Sequence, residues 1–330
     1  MLLSSIFGPD AQGQPHSQTA APPKPVAPQQ AIAWPQDRTG CLLAHIDPRR
    51  QLGLEIGALC RPVVTQDMGD IRYVDHMSTA DLQSKYAHDT NVDIKTIVPV
   101  HYVWGAQRLP EAVRGELFDY VIASHVIEHV PDTIGWLQEI SEVLKPGGLL
   151  SLAIPDMRYT FDCLRECSTL ADLVEAYLEK RRQPNFRQVY NHFSEVAAVP
   201  SLVSTAQLWA GTIARDDVPL LHPDLIPDLS DEDTRYYFQI LNHGQHYMDV
   251  HCHVYTPESF VRLLKRLAGV KLLGFRVRSF FETRLNENEF FLTLEKLPPE
   301  LQGPERRNAI LQSIAQAVRP TELAGAAQGA

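Results

Sequence analysis

The sequence predicts an α/β chain built on a doubly wound, mostly parallel sheet. Three observations carry this prediction. Short, continuous apolar runs recur between residues 52 and 156, and continuous rather than alternating runs suit strands covered on both faces. A clear helix pattern, "PDTIGWLQEISEVLKPGG", lies between two of these runs, and a strand–helix–strand unit pairs its strands in parallel. Two long strand-like segments near the C-terminus are joined by a short polar turn around Asn286, which makes them an antiparallel hairpin.

Taken in order, residues 1–37 are expected to form a disordered Pro-rich leader, because 9–37 is dominated by Pro, Gln and Ala and buries too little apolar surface to offset its ordering entropy. The main domain is expected over 38–300. Its strands are read in "LGLEIG" (52–57), "DIRYVDHM" (70–77), "IKTIVPVHYVW" (94–104, weakened by Pro99), "FDYVIAS" (118–124) and "LLSLAIPD" (149–156). The helix before the fifth strand keeps Ile134, Leu137, Ile140 and Leu144 on one face and stops at Lys145-Pro146-Gly147-Gly148.

Residues 157–250 break the alternation and read as a mainly helical insertion after the fifth strand. One amphipathic helix is expected in "STLADLVEAYLEKRRQ", burying Leu170, Leu173, Val174, Tyr177 and Leu178. An insertion at the carboxyl end of a parallel strand lies over the ligand crevice, so this one is a candidate lid. In "TPESFVRLLKRLAG", Thr256 caps a helix and Pro257 opens it. The strands "VKLLGFRVRSFFETR" and "NEFFLTLEKL" follow. Residues 301–330 are expected to be a loosely docked helix, with Ile310, Ile314 and Val318 on one side, and a flexible tail.

A net charge of −10 argues against a nucleic acid or an anionic membrane as the partner of the whole chain, since both call for a basic face. The five cysteines form no C-x-x-C pair, and no apolar window is long enough to span a membrane. A cytoplasmic protein with reduced thiols is expected.

The crevice residues narrow the ligand. Gly57, at the end of the first strand, permits close backbone approach. Asp75, twenty residues after Glu55 and at the end of the second strand, is placed to hold ribose hydroxyls. A dinucleotide fold needs G-x-G-x-x-G, but here Gly57 is followed by Leu59, Cys60 and Arg61. Glu55 would oppose a phosphate and suits a cationic amine or sulfonium. The reading favours a nucleoside without phosphates.

His125, Glu128 and His129 spell H-x-x-E-H, the signature of an inverted zinc-protease helix. A strand directly before and Pro131 two residues after His129 place it in a loop or single turn, so no metal is expected there. A zinc hydrolase is kept as the minor alternative, and capping of the next helix by Glu128 and His129 as the plain structural one. Four more histidines, His243, His246, His251 and His253, precede the "TPESF" helix. Asp249 and His251 are the candidates to face the crevice. Arg158 and Asp162 are read either as substrate contacts or as an anchor for the insertion.

Taken together, "LEIGAL", "YVDHM", "FDYVIASHVIEHVPD" and "EISEVLKPGGLLSLAIPD" resemble, in order and spacing, the class I S-adenosylmethionine-dependent methyltransferases of the type 11 group. "PDMRYTFD" resembles members associated with bacterial glycosyltransferases. The resemblance implies a Rossmann-like, seven-stranded sheet with its last strand antiparallel, and S-adenosylmethionine as cofactor. It implies that Glu55, Gly57, Ala58 and Leu59 line the methionine and ribose, and that Asp75 holds the ribose hydroxyls, with His76 and Met77 beside the adenine. Val103 and Trp104 would flank the adenine, with Ser124 and His125 near the methionine end. The sequence departs from the family at Leu59, where a second glycine is common.

Methyl transfer from a sulfonium is an in-line displacement governed by orientation. A hydroxyl acceptor also calls for a base that titrates near neutrality, which makes His129 and then His251 the catalytic candidates. The expected function is methylation of oxygen or nitrogen on a small molecule or saccharide, with a partner from a glycosyltransferase pathway. A degenerate fold serving as a binding or scaffold module is the alternative from another class.

Overall fold

The structure, a computed structural model, describes residues 34–221 and 248–318. Most of the expected leader, the 222–247 part of the insertion with His243 and His246, and the end of the tail lie outside the described residues. Seven strands form one sheet: β1 (Gly53–Ile56), β2 (Ile71–Asp75), β3 (Tyr102–Val103), β4 (Phe118–Ser124), β5 (Leu144–Pro155), β6 (Phe275–Phe281) and β7 (Glu289–Lys296). Their order is β3-β2-β1-β4-β5-β7-β6. Only β7 runs against the rest, wedged antiparallel between β5 and β6. The doubly wound sheet with an antiparallel last strand is therefore as the sequence predicts.

The central strand β4 shows why its apolar run is continuous. Val121 and Ala123 face one core with α4 (Thr133–Val143), while Tyr120 and Ile122 face a second core with α1 (Arg38–Leu42). Beside it, Gly53 in β1 is required by packing, because a Cβ there would fall 2.1 Å from the Tyr120 ring.

Two strands differ from expectation. β3 is only two residues long, since Pro99 offers no amide and residues 94–96 form a single 3-10 turn capped by Asp93. β5 starts at Leu144, at the very end of α4. Phe118 pairs with Leu144, but Tyr120 pairs with Leu149, so Lys145–Gly148 bulge outward with Gly147 left-handed at φ 73°.

The insertion carries α5 (Leu170–Glu179), α6 (Phe186–Glu195) and α7 (Thr205–Ala210) among its described residues. In α5, Leu173 is buried and Leu170, Val174 and Tyr177 pack against the core, but Leu178 is 73% exposed. The helix has turned that position outward before it ends at left-handed Lys180. α8 (Pro257–Gly269) has the expected Thr256 cap and proline start. α9 (Gly303–Ala317) is better docked than expected: Ile310 and Ile314 are fully buried, and Ser313 Oγ accepts from the Val277 amide of β6 at 3.0 Å. No helix among the described residues is long and apolar enough to cross a membrane.

Candidate active site

Strand order reverses between β1 and β4, so their carboxyl ends open onto the crevice where such sheets bind ligands. Gly57 follows β1 with φ 67°, and a Cβ there would meet only Val126 Cγ2, at 3.6 Å. Its bare backbone borders space that a side chain would fill. Leu59 is left-handed too, with φ 46°, and Ala58 between them is buried. Val98 N donates to Leu59 O at 2.9 Å and steadies this turn.

Glu55 works from beneath. Its carboxylate accepts from Val63 N at 2.7 Å and Val64 N at 3.1 Å, so both oxygens serve the loop rather than project into the crevice. Burial pushes its pKa up to about 7, against the pull of those two amides. The sequence reading missed this inward turn because the amides it satisfies belong to a loop without a motif.

Asp75 ends β2 and pairs in register with Val103 of β3. Its Oδ1 accepts from His76 N at 2.7 Å and lies 2.6 Å from His76 Nδ1. His76 is exposed and Met77 half-buried, while Val103 is 45% exposed, an apolar edge beside an acid. Trp104 turns its indole N–H to Gln107 O at 3.0 Å. A bare backbone turn, a carboxylate and an adjoining apolar edge match in chemistry a nucleoside that carries ribose hydroxyls and no phosphate.

Ser124 and His125 stand at the end of β4, His125 in the left-handed region with φ 53°. His125 Nε2 lies 2.9 Å from Glu289 Oε2, and Arg38 Nε donates to Glu289 Oε1 at 2.7 Å while its guanidinium also reaches Ser124 Oγ. Burial pulls His125 down, but Glu289 and Glu128 outweigh it and hold it above the usual range. Burial likewise works against Glu289 ionising, and His125 with Arg38 reverses the direction. Neither Arg38 nor Glu289 carries a sequence signal, being 251 residues apart.

The H-x-x-E-H segment is a single 3-10 turn, Ile127–His129, and not a zinc-protease helix. Nor does it cap α4: Asp132 does so, its Oδ1 accepting from Gly135 N at 2.8 Å. Glu128 is 1% exposed and its carboxylate oxygens have no hydrogen-bond partner among the described residues. His125 Nδ1 stands 3.6 Å away and His129 Nε2 3.9 Å.

His129 and His251 come together edge to face, their ring centroids 4.6 Å apart. Each imidazole leans on a carboxylate. His129 Nδ1 lies 2.8 Å from Asp249 Oδ1, and His251 Nδ1 lies 2.5 Å from Asp162 Oδ2. Burial lowers the His129 pKa, yet Asp249 and Glu128 raise it overall. Asp162 is itself buried and accepts from Arg165 Nη1 at 2.9 Å, so it both anchors the insertion and orients His251.

Of these groups, His125, Glu128, His129 and His251 line a cavity of about 270 Å³ with Tyr159 and Phe161, while Asp249 and Asp162 stand behind the two imidazoles. Outside that set, Arg158 is committed to Asp156, with Nη2 2.6 Å from Oδ2. His253 is buried with Nε2 3.1 Å from Pro131 O, and burial pushes its pKa down to about 4. Cys163 is a buried thiol and Cys167 a half-buried one beside Met157.

The sequence model of a family described as "Methyltransferase domain" matches residues 74–273. No curated protein matches the chain. Similar solved structures include an S-adenosylmethionine-dependent methyltransferase from Methanosarcina mazei, 17% identical, covering 77% of this chain and 95% of that one with a TM-score of 0.37. Another, from Mesorhizobium loti, is 12% identical over 78% of this chain and 98% of that one, with a TM-score of 0.37. A third, described as a Zn-dependent alcohol dehydrogenase from Rhodobacter sphaeroides, is 12% identical over 79% and 89%, with a TM-score of 0.41. At such identities and scores these neighbours carry no weight as to function. The family match spans well over half of the 330 residues and takes in the motifs after β2 and β4, to which the 3-2-1-4-5-7-6 sheet adds the turn after β1: the chain belongs to the methyltransferase domain family and is a class I S-adenosylmethionine-dependent methyltransferase.

Proposed function

We propose that this protein methylates a hydroxyl oxygen on a small acceptor, a free metabolite or one unit of a saccharide. The observation that carries this reading is the pair of carboxylate-backed imidazoles, His129–Asp249 and His251–Asp162, on the wall of one cavity. An amine acceptor needs only to be neutral and positioned, whereas a hydroxyl needs help in losing its proton. About 270 Å³ is at the small end for a ligand pocket, which suits a single ring.

When bound, S-adenosylmethionine supplies an electrophilic methyl group on a sulfonium. The residues supply the rest. The turn at Gly57, shaped from below by Glu55, receives the amino acid and ribose portion; Asp75 takes the ribose hydroxyls; Val103 borders the base. His125 closes the crevice between cofactor and acceptor. His129 and His251 activate the acceptor oxygen, and Tyr159 and Phe161 wall it off from water. The described part of the insertion contributes Tyr159, Phe161 and Val199 to the cavity wall, with Asp162 behind His251, which supports its reading as a lid. The saccharide acceptor, and with it a partner that builds the saccharide, rests on the resemblance of "PDMRYTFD".

Calorimetry with S-adenosylmethionine tests the reading first, with micromolar binding expected; no heat of binding at millimolar cofactor would return the chain to a scaffold role. Transfer of labelled methyl to a panel of hydroxylated and amino acceptors then separates oxygen from nitrogen methylation.

A further inference from the structure

We propose that Glu128, His129 and His251 form a binding site for a divalent transition-metal ion, open on its cavity side to oxygen atoms of the acceptor. One ligand atom from each of the three lies within 4.8 Å of the other two. Zinc bonds of about 2.0–2.1 Å would bring such atoms to about 3.3 Å from one another, a closure within the reach of side-chain rotation.

Two further observations point to a cation. Glu128 is buried to 1% exposure, lines the cavity, and finds no hydrogen-bond partner among the described residues for either oxygen. Buried carboxylates are ordinarily paired, hydrogen-bonded or bound to metal. In addition, His251 Nδ1 is hydrogen-bonded to Asp162 and His129 Nδ1 lies 2.8 Å from Asp249 as an ion pair outside hydrogen-bond alignment, which leaves Nε2 as the remaining ring nitrogen of each. An acid behind each ring is the arrangement that orients metal-binding imidazoles and makes them more basic.

The site is also preassembled. His253 N donates to Glu128 O at 3.1 Å and Cys252 Sγ lies 3.3 Å from His129 O, so the backbone around the two ligand-bearing segments is already joined. This differs from the H-x-x-E-H reading, because the third ligand is His251 from the distant segment, while His125 is held by Glu289.

Two imidazoles and one carboxylate suit zinc, cobalt, manganese or iron(II), and fall short of the oxygen set that magnesium or calcium takes. Three protein ligands leave one position on a four-coordinate ion and a second when it expands to five, so an acceptor with two neighbouring oxygens, a vicinal diol or a hydroxy acid, fits the site. This role for the ion rests on the methyl-transfer reading; binding of the ion does not. The acceptor O–H gives up its proton to solvent as the acceptor enters, before Tyr159 and Phe161 close it off; then the oxygen–methyl bond forms, the sulfur–methyl bond breaks, and its electron pair returns to sulfur. No oxidant is consumed.

The full chain, stripped with chelator, is titrated with zinc and with cobalt by calorimetry and visible absorption, and S-adenosylmethionine binding is measured on the same samples. One ion per chain is expected, with cobalt bands of a nitrogen and oxygen site. Glu128→Gln and His251→Ala should weaken binding at least about 100-fold, and Asp249→Asn about 10–100-fold, while cofactor binding stays within a few-fold in all three. X-ray absorption of the wild-type zinc form should count two imidazoles, a readout independent of how well any variant folds. Absence of zinc binding below millimolar, or binding that survives Glu128→Gln and His251→Ala, would each overturn the metal site, and undiminished methyl transfer by stripped protein would overturn the ion's role in the reaction. Retained cofactor binding in those cases would leave the methyltransferase reading standing, with His129 and His251 as direct bases.

Discussion

Asp162 Oδ2 lies 2.5 Å from Nδ1 of His251, and Asp162, His251 and Arg165 are all buried. Arg165 Nη1 bridges Asp162 Oδ1 and the carbonyl of His251, each at 2.9 Å. His251 and Arg165 together hold the Asp162 carboxyl below its usual range, although burial alone would raise it. Removing one member of such a group strands a buried charge, which typically costs about 3–5 kcal/mol. Asp162→Asn is therefore expected to lose about that much unfolding free energy in urea. A variant within 1 kcal/mol of wild type would mean that solvent reaches Arg165.

Not every part of this site was open to a reading of the sequence, and the reason is distance along the chain. Gly57 and Asp75 could be found because each ends a short apolar run, so the local pattern marks the carboxyl end of a strand and the crevice with it. The Asp162–His251 pair spans 89 residues and the Arg38–Glu289 pair spans 251. Only the folded sheet brings them together. Glu55 shows a third limit: its position in the motif was legible, but the side to which an isolated acid turns depends on the loop amides available to it. The β5 bulge at Gly147 was hidden for a similar reason, since glycine and proline after a helix read equally well as a stop.

Glu55 makes stability depend on pH. Its folded pKa of about 7 stands above the ordinary 4.5, so between those values the folded chain holds a proton that the unfolded chain has lost. Stability from this site is full below about pH 4.5, declines as pH rises, and levels off above about 7. The decline amounts to at most about 3 kcal/mol. Urea melts from pH 5 to 8 should show it, and Glu55→Gln, which cannot ionise, should remove that slope. Equal slopes in the two proteins would assign the pH dependence elsewhere.

The two left-handed residues after β1 predict opposite outcomes. At Gly57, φ 67° is costly for any side chain and the Cβ would enter the space proposed for the cofactor, so Gly57→Val should cost about 1–2 kcal/mol and at least about tenfold in cofactor affinity by calorimetry. At Leu59, φ 46° is already being tolerated by a bulky residue. Leu59→Gly should relieve strain of about 1 kcal/mol and leave affinity equal or improved. A tenfold weaker Leu59→Gly would show that the leucine side chain itself contacts the cofactor.

Asp75 offers a carboxylate whose Oδ1 is occupied by His76 while Oδ2 has no hydrogen bond among the described residues. Hydrogen bonds to a charged group contribute about 1.5–3 kcal/mol. Asp75→Ala should thus raise the dissociation constant for S-adenosylmethionine roughly 10- to 150-fold by calorimetry. Methionine alone, which has no ribose, should bind both proteins equally. If methionine binding falls as well, the substitution has disturbed the fold of the crevice rather than a ribose contact.

Arg38 ties the start of the domain to the mouth of the site. α1 is five residues long and is held by its Asp37 cap, whose Oδ1 accepts from Gly40 N at 2.6 Å, and by Arg38 on Glu289 and Ser124. A helix that short does not persist without such contacts. Arg38 is 43% exposed, so solvent screens its ion pair, and the stability cost of Arg38→Ala is expected to be only about 1 kcal/mol. The local effect should be larger than the global one. With Arg38 gone, Glu289 keeps His125 as its one ion-pair partner among the described residues, and α1 loses its hold on the end of β4. Hydrogen exchange of the Cys41 and Leu43 amides, which bond to Asp37 O and Thr39 O, should then quicken well before global unfolding, and the cofactor should dissociate faster. Unchanged exchange at those two amides would show that burial of Cys41 and Leu42 alone is enough to dock the helix.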